Sequence, residues 1–243
     1  MKRILLIGLI SSLTLGQTIK IACDHGLKYP LKKVAELFTK QTDIDVEIVS
    51  NNGEALFNKI KNKNSEGFDL FIPANFRLIL NNKTLFKSQK LIGYNKPVII
   101  VRKNNPKNIK TLDDFKKNDV IVVLAKPKTS YIGKISREIL IKYKDSSFAK
   151  KIYQKAIQVP TENEINKNIK NKIADTSINW RSSVFQNDNN KYLSIINIPY
   201  IASKQKLIMA ELKEAPHHLE TKKFLNFITK PKNKLILKKL GFK

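Results

Sequence analysis

Residues 18–60 read TIKIACDHGLKYPLKKVAELFTKQTDIDVEIVSNNGEALFNKI, and in them a strand period and a helix period alternate twice. Thr18 to Cys23 is an apolar strand, and Asp24-His25-Gly26 is a turn. Pro30 suits a first helical turn, after which Leu31, Val34, Ala35 and Phe38 recur at helical spacing. Asp45 to Val49 alternates as a strand, with Val46 and Ile48 on one side. The turn Ser50-Asn51-Asn52-Gly53 then leads to a helix carrying Leu56, Phe57 and Ile60. Strand, helix, strand, helix in this order predicts an α/β fold built on mainly parallel sheets flanked by helices.

The same pattern continues outward. Phe68 to Ile72 reads as a strand, and Pro97 to Val101 is a β-branched run suited to a buried strand, broken by Asn104-Asn105-Pro106. A second series follows: Thr111 with Asp114 as a capping pair, Val120 to Ala125 as a strand, then a helix with Ile132, Ile135, Ile139 and Leu140. Thr161 with Glu164 is a T-x-x-E capping box opening another helix, and Asp175 to Asn179 is a strand. Lys206 to Leu212 reads as a strand, Leu219 to Ile228 and Lys234 to Leu240 as closing helices, with Gly241 as C-cap. Two such series and a helical tail predict two lobes.

At the start, Lys2-Arg3, an apolar run from Ile4 to Leu15 and the small Gly16 have the form of a secretory signal. The expectation is a signal peptide over 1–16, cleaved before Gln17, and a periplasmic or otherwise extracytoplasmic product. Lys20 interrupts the apolar stretch before Cys23, so Cys23 reads as a strand residue and not as a lipidation site. A single cysteine forms no intramolecular disulfide.

The formal charge of +26 directs attention to nucleic acid. Yet only five of the 46 basic residues are Arg (Arg3, Arg77, Arg102, Arg137 and Arg181), and phosphate and base recognition favour the guanidinium fork. The lysines are dispersed through helices and loops, as on a solvated surface, so no nucleic-acid partner is expected. Such a field still draws small anions towards a cleft.

The sequence contains no G-x-S-x-G, H-E-x-x-H, C-x-x-C or phosphate-cradling G-x-x-x-x-G-K motif, which argues against a hydrolase, metalloprotease or nucleotide enzyme. His217 and His218 are adjacent, so on a helix they diverge by about a hundred degrees, and they read as helix-start polar residues. Asp24-His25 reads as a turn presenting backbone amides at a sheet edge, where open α/β folds bind ligands, and not as an acid–base dyad. No catalytic residue, metal or organic cofactor is expected.

The opening stretch, FDLFIPAN (68–75), PVIIVRKNNPKNIKTLDDFKK (97–117), VLAKPKTSYIGKISREIL (123–140), ADTSINW (174–180) and KKFLNFITKPKNKLILKKLGF (222–242) follow an order that resembles the molybdate-type substrate-binding proteins of ABC transporters. The resemblance runs through essentially all of the chain after residue 16. It implies a two-lobed type II periplasmic binding protein, with lobe I over 17–96 plus 204–243, lobe II over 97–203, and hinges near Pro97 and Ser203. An oxyanion would sit between the lobes on backbone N–H groups, hydroxyls and helix N-termini.

Transferred onto this chain, the family's first serine turn falls on His25-Gly26 and its second on Ser50-Asn51-Asn52. The loop that offers an amide from the second lobe falls on Ser130 to Ile132, and the family's aromatic near the ligand on Trp180, beside Asn179 and Arg181. The strand-end serine is replaced by Pro73 and the acid after it by Asn75. His25, Asn51, Asn52 and Arg181 are larger donors than the hydroxyls they stand for, and Arg offers a fork for carboxylate or phosphate. These departures turn the site from molybdate towards a larger anion. Cell-surface antigens of this fold that hold carboxylates or phosphate esters also carry a Trp at the equivalent of Trp180. For Trp180 a core role, for Arg181 a surface role, and for Ser50 and Ser130 a turn or cap role remain open beside ligation.

The function expected is therefore capture of a small anion, a molybdate- or tungstate-type oxyanion or a small carboxylate or phosphate ester, and its delivery to an ABC transporter permease by a monomer. The alternative is a cell-surface adhesin built on the same fold, its lysine-rich face contacting polyanions.

Overall fold

Strand β1 (Thr18–Asp24) is the centre from which the first sheet grows. Helix α1 (Lys28–Thr42) crosses back to β2 (Asp45–Asn51), and α2 (Gly53–Lys61) crosses to β3 (Leu70–Ile72), so that β2 and β3 lie on opposite sides of β1, both parallel to it. A short α3 (Arg77–Leu80) precedes the long strand β4 (Phe86–Asn95). Strand β10 (Gln205–Leu212), arriving late in the chain, inserts antiparallel between β3 and β4 and completes the order β2-β1-β3-β10-β4. The computed structural model describes residues 18–65, 67–198 and 201–243. The expected signal segment, Met1–Gly16, lies outside the described residues.

Successive residues of a strand point to opposite faces, and this sheet uses both. Ile19, Ile21, Cys23, Leu70, Ile72, Leu207 and Met209 pack under α1 and the closing helices α7 (His218–Thr229) and α8 (Pro231–Lys239). Ala22, Phe71, Ile208 and Ala210 pack on the other face with Leu56, Phe57 and Ile60 of α2. Phe38 of α1 meets Phe224 and Phe227 of α7 edge to face, with centroids 5.0 and 5.2 Å apart. Helix α1 ends at Asp43 in the left-handed region (φ 54°), whose N–H closes on the Thr39 carbonyl.

A second core forms wholly from residues 98–202. Strand β5 (Pro97–Arg102) lies between β8 (Thr176–Trp180) and β9 (Leu193–Ile196), antiparallel to both. Beside it β6 (Val123–Ala125) and β7 (Ile157–Val159) are parallel, and a parallel bridge from Val122 to Thr176 joins the two pieces. Helices α4 (Tyr131–Tyr143), α5 (Ser146–Lys155) and α6 (Glu162–Lys170) supply Ile132, Ile139, Ile152, Ile165 and Ile169 to this core. Both sheets are mixed: strands joined through a crossover helix run parallel, whereas β10 is antiparallel to β3 and β4, and β5 to β8 and β9. Among the described residues no helix is long and apolar enough to cross a membrane.

Glycine is required where α4 meets β6. A Cβ on Gly133 would stand 2.6 Å from the carbonyl oxygens of both Ala125 and Lys126, so its absence lets the first turn of α4 rest on the strand end. The C-cap of α8 is Leu240, and Gly241, read from the sequence as the cap, is the next residue, with φ 86° and its N–H on the Lys238 carbonyl at 3.0 Å.

Candidate functional site

In the strand order β2-β1-β3 the crossovers diverge from β1, and ligands of open α/β sheets bind at the carboxyl ends of strands around such a point. The residues there are Asp24 at the end of β1, Asn51 at the end of β2 with Asn52 after it, and Pro73 to Asn75 after β3. Opposite them stand the loops after the parallel strands of the second sheet: Lys126 to Ser130 after β6, Pro160 to Glu162 after β7, and Trp180 at the end of β8.

Contacts across this junction are direct. The Asn52 side-chain amide donates to the Thr129 carbonyl at 2.8 Å, while its oxygen accepts from the N–H groups of Glu54 and Ala55 and caps α2. The Tyr131 hydroxyl donates to Gln205 at 3.1 Å and the Gln186 amide to the Gly26 carbonyl at 3.2 Å. Lys134 pairs with Glu54. Between the two sides lie two narrow clefts of about 260 and 300 Å³, open mouths included. The first is bordered by Asp24, Asn52, Asn75, Lys128, Ser130 and Tyr131. Asp24, Gly26, Asn95, Glu162, Trp180 and Gln205 border the second, so Asp24 belongs to both.

Ser130 is the N-cap residue of α4, yet its hydroxyl caps nothing: Oγ is buried without a hydrogen-bond partner. The first amides of α4 are likewise uncapped by any side chain, so hydroxyl and helix N-terminus together offer donors to an anion. At the other cavity the chemistry reverses. Glu162, the first residue of α6, is only 5 % exposed, and its Oε1 also lacks a partner. A Cβ on Gly26 would lie 2.6 Å from that oxygen. Burial raises the Glu162 carboxyl above its usual range, opposed by backbone N–H groups of Gly26 and of Glu162 itself. Asp24 is pushed up to about 7 by burial and then by the Glu162 charge, against the N–H groups of Gly53 and Ala74 and the His25 ring. The two acids thus share one electrostatic site across the junction.

The residues singled out in the sequence fall into distinct places. Gly26, Asn52, Ser130 and Trp180 border the cavities. His25 begins the single turn after β1, Ser50 lies in β2 beside Cys23, and the Asn51 side chain accepts from the Asn52 N–H at 2.7 Å. The Ile132 side chain is in the second core, where its residue contributes to the first turn of α4. Asn179 is fully buried and donates to the Glu162 carbonyl and to Asn166, each at 3.0 Å, which fixes the start of α6. Arg181 follows β8: its N–H meets the Lys96 carbonyl and its guanidinium stacks 4.8 Å over Phe185. Trp180 has Tyr131 beside it, ring centroids 6.2 Å apart. His217 and His218 hold Asp69 and Glu211, at 3.1 and 2.7 Å. Among the described residues no cluster of three or more His, Cys, Asp or Glu could hold a metal ion.

The acid pair was not singled out in the sequence. Glu162 follows the N-cap Thr161, where a carboxylate ordinarily serves the helix dipole, and Asp24 reads as a turn residue. The signal available was position: Asp24 ends β1, the strand with β2 on one side and β3 on the other.

Residues 19–243 match the family model described as bacterial extracellular solute-binding protein. The chain belongs to this family. It is a family of non-catalytic solute-binding proteins. Solved structures share the fold of this solute-binding protein at low identity. The periplasmic molybdate-binding protein of Azotobacter vinelandii is 15 % identical with a TM-score of 0.76, over 93 % of this chain and 98 % of that one. PEB3 of Campylobacter jejuni, in its L-phospholactate-bound structure, is 18 % identical with a TM-score of 0.74, over 93 % and 99 %. The sulfate-binding protein SubI of Mycobacterium tuberculosis is 14 % identical with a TM-score of 0.78, over 93 % and 86 %. No curated protein matches the solute-binding chain in sequence.

Proposed function

We propose that this solute-binding protein works outside the cytoplasm as the monomeric receptor of an ABC transporter, closing on a small anionic solute and passing it to a permease. Residues 17–96 with 204–243 form lobe I and 97–203 lobe II, after removal of a signal peptide over 1–16. The two crossings, near Pro97 and Ser203, are the hinge. Ligand contacts to both lobes populate the closed state, and the permease releases the solute by favouring the open one.

The observation that carries this reading is the buried, unpartnered Ser130 hydroxyl at the uncapped N-terminus of α4, in a residue that borders a cavity between the two sheets. In the site proposed, Gly26, Asn52, Ser130 and the amide of Ile132 meet the solute, Trp180 walls it, and His25, Ser50 and Asn51 shape the lobe I edge. Asn179 positions Glu162, and Arg181 acts at the hinge. The molybdate, sulfate and phospholactate proteins of like fold make oxyanions, carboxylates and phosphate esters the first solutes to try.

Trp180, the single tryptophan, reports on occupancy. Titration with molybdate, tungstate, sulfate, phosphate, citrate and a phosphorylated three-carbon acid, followed by fluorescence and melting temperature at fixed ionic strength, is expected to give a saturable response to at least one. Silence towards all of them, with no compaction by small-angle scattering, would remove the reading.

A further inference from the structure

The cavities between the lobes differ in kind. One offers donors: the unpartnered Ser130 hydroxyl, the start of α4 and Lys128, with Lys134 nearby already paired to Glu54. The other offers acceptors: Glu162, whose buried Oε1 is unpartnered, and Asp24, which borders both cavities and joins them. Gly26 has no side chain where one would strike Glu162 Oε1, so the carboxylate reaches across the junction to lobe I. An ionised carboxylate only accepts hydrogen bonds. At neutral pH the raised pair keeps part of its negative charge, which repels a fully deprotonated oxyanion, whereas a hydroxyl or ammonium group supplies a donor to the unpartnered Glu162 Oε1.

We infer that the captured solute is bipolar, a small hydroxy acid or zwitterion whose anionic end meets Ser130 and the α4 N-terminus and whose hydroxyl or ammonium is held between Asp24 and Glu162. This rests on the solute-capture reading and names its substrate class. Selectivity then resides in the acid pair, and affinity for any anion in the Ser130 side.

Two matched sets test it: propionate, lactate and alanine, and succinate, malate and aspartate, with sulfate and molybdate as bare oxyanions. Isothermal titration of the wild-type protein at neutral pH and fixed ionic strength is expected to favour a hydroxyl- or ammonium-bearing member over its unsubstituted counterpart by about ten-fold or more. Glu162→Gln and Asp24→Asn are expected to erase that preference and improve binding of sulfate or molybdate. Wild-type binding of a bare oxyanion, propionate or succinate as tight as that of the substituted acids would overturn the inference while leaving solute capture intact. A substituted-acid preference that persists in both variants would overturn the role of the acid pair. Silence towards every probe would overturn the inference together with the reading on which it rests.

Discussion

Gly26 and Glu162 meet across the junction so closely that a Cβ on the glycine would stand 2.6 Å from the glutamate Oε1, well inside van der Waals contact. Gly26 follows β1 and Glu162 opens α6, so the contact exists only when the two sheets approach. Its backbone is not in the left-handed region, so the obstacle to a side chain here is the Glu162 carboxylate alone. Gly26→Ala is expected to leave each core intact and to hinder closure. Small-angle scattering would show a larger radius of gyration, and solute affinity would fall by about ten-fold. An unchanged profile would mean that the glutamate swings aside freely.

The acid pair sets a pH dependence whose sign follows from burial. In the folded protein Asp24 titrates at about 7, against an ordinary value of 3.8. Between these values the folded state keeps a proton that the unfolded chain has released, so this contribution to stability falls as pH rises through the window and is flat above it. Glu162 is shifted in the same direction. Calorimetric melts of Asp24→Asn are expected to lose less between pH 5 and pH 8 than wild type and to lie above it at pH 8, by about 2–4 °C for each kcal/mol recovered. A variant melting below wild type at pH 8 would contradict this.

Ser130 separates binding from stability. Its hydroxyl is buried without a partner, and removing such a group relieves a desolvation penalty. Ser130→Ala is expected to melt at or slightly above the wild-type temperature while binding an anionic solute about ten-fold more weakly, the loss of a charge-assisted hydrogen bond. Parallel melting and titration of one preparation distinguish this from a cap residue, whose loss would lower the melting temperature.

Asn52 does two things with the two ends of one amide. Its oxygen caps α2 and its nitrogen holds the Thr129 carbonyl. Asn52→Asp keeps the capping oxygen and sets a carboxylate against the carbonyl, so stability is expected to change little while solute affinity declines. Asn52→Ala removes both functions and is expected to cost about 0.5–2 kcal/mol of stability as well. Denaturant melts with titrations of the two variants show whether the ends act separately.

The elements legible in the sequence were those with a strong internal period or a capping signal. Thr161 caps α6, its hydroxyl accepting from the Glu164 N–H at 3.4 Å, which is half of the box read from their spacing, while the Asp114 carboxylate accepts from the Thr111 N–H in the pair read upstream; Gly241 has the positive φ its position demanded. Strand β4 escaped notice because Lys87, Gln89 and Lys90 make it read as a polar loop; it is an edge strand whose pairing comes from β10, over a hundred residues away. Helix α5 carries Phe148, Ala149 and Ile152 on a narrow stripe among polar residues, and its Asp145 cap was not read.

Local pattern therefore determined the alternation of strands and helices, the resemblance to solute-binding proteins and the turns at the strand ends, because backbone propensity, side-chain period and caps act within a few residues. The tertiary structure alone decided that Asp24 and Glu162 share one site, that Ser130 keeps its hydroxyl unpaired, and that Asn179 bonds the Glu162 carbonyl and Asn166 while the Arg181 guanidinium stacks on Phe185. Those properties arise from burial and from charges brought together over more than a hundred residues of chain, and neither desolvation nor Coulomb energy has any counterpart in sequence spacing.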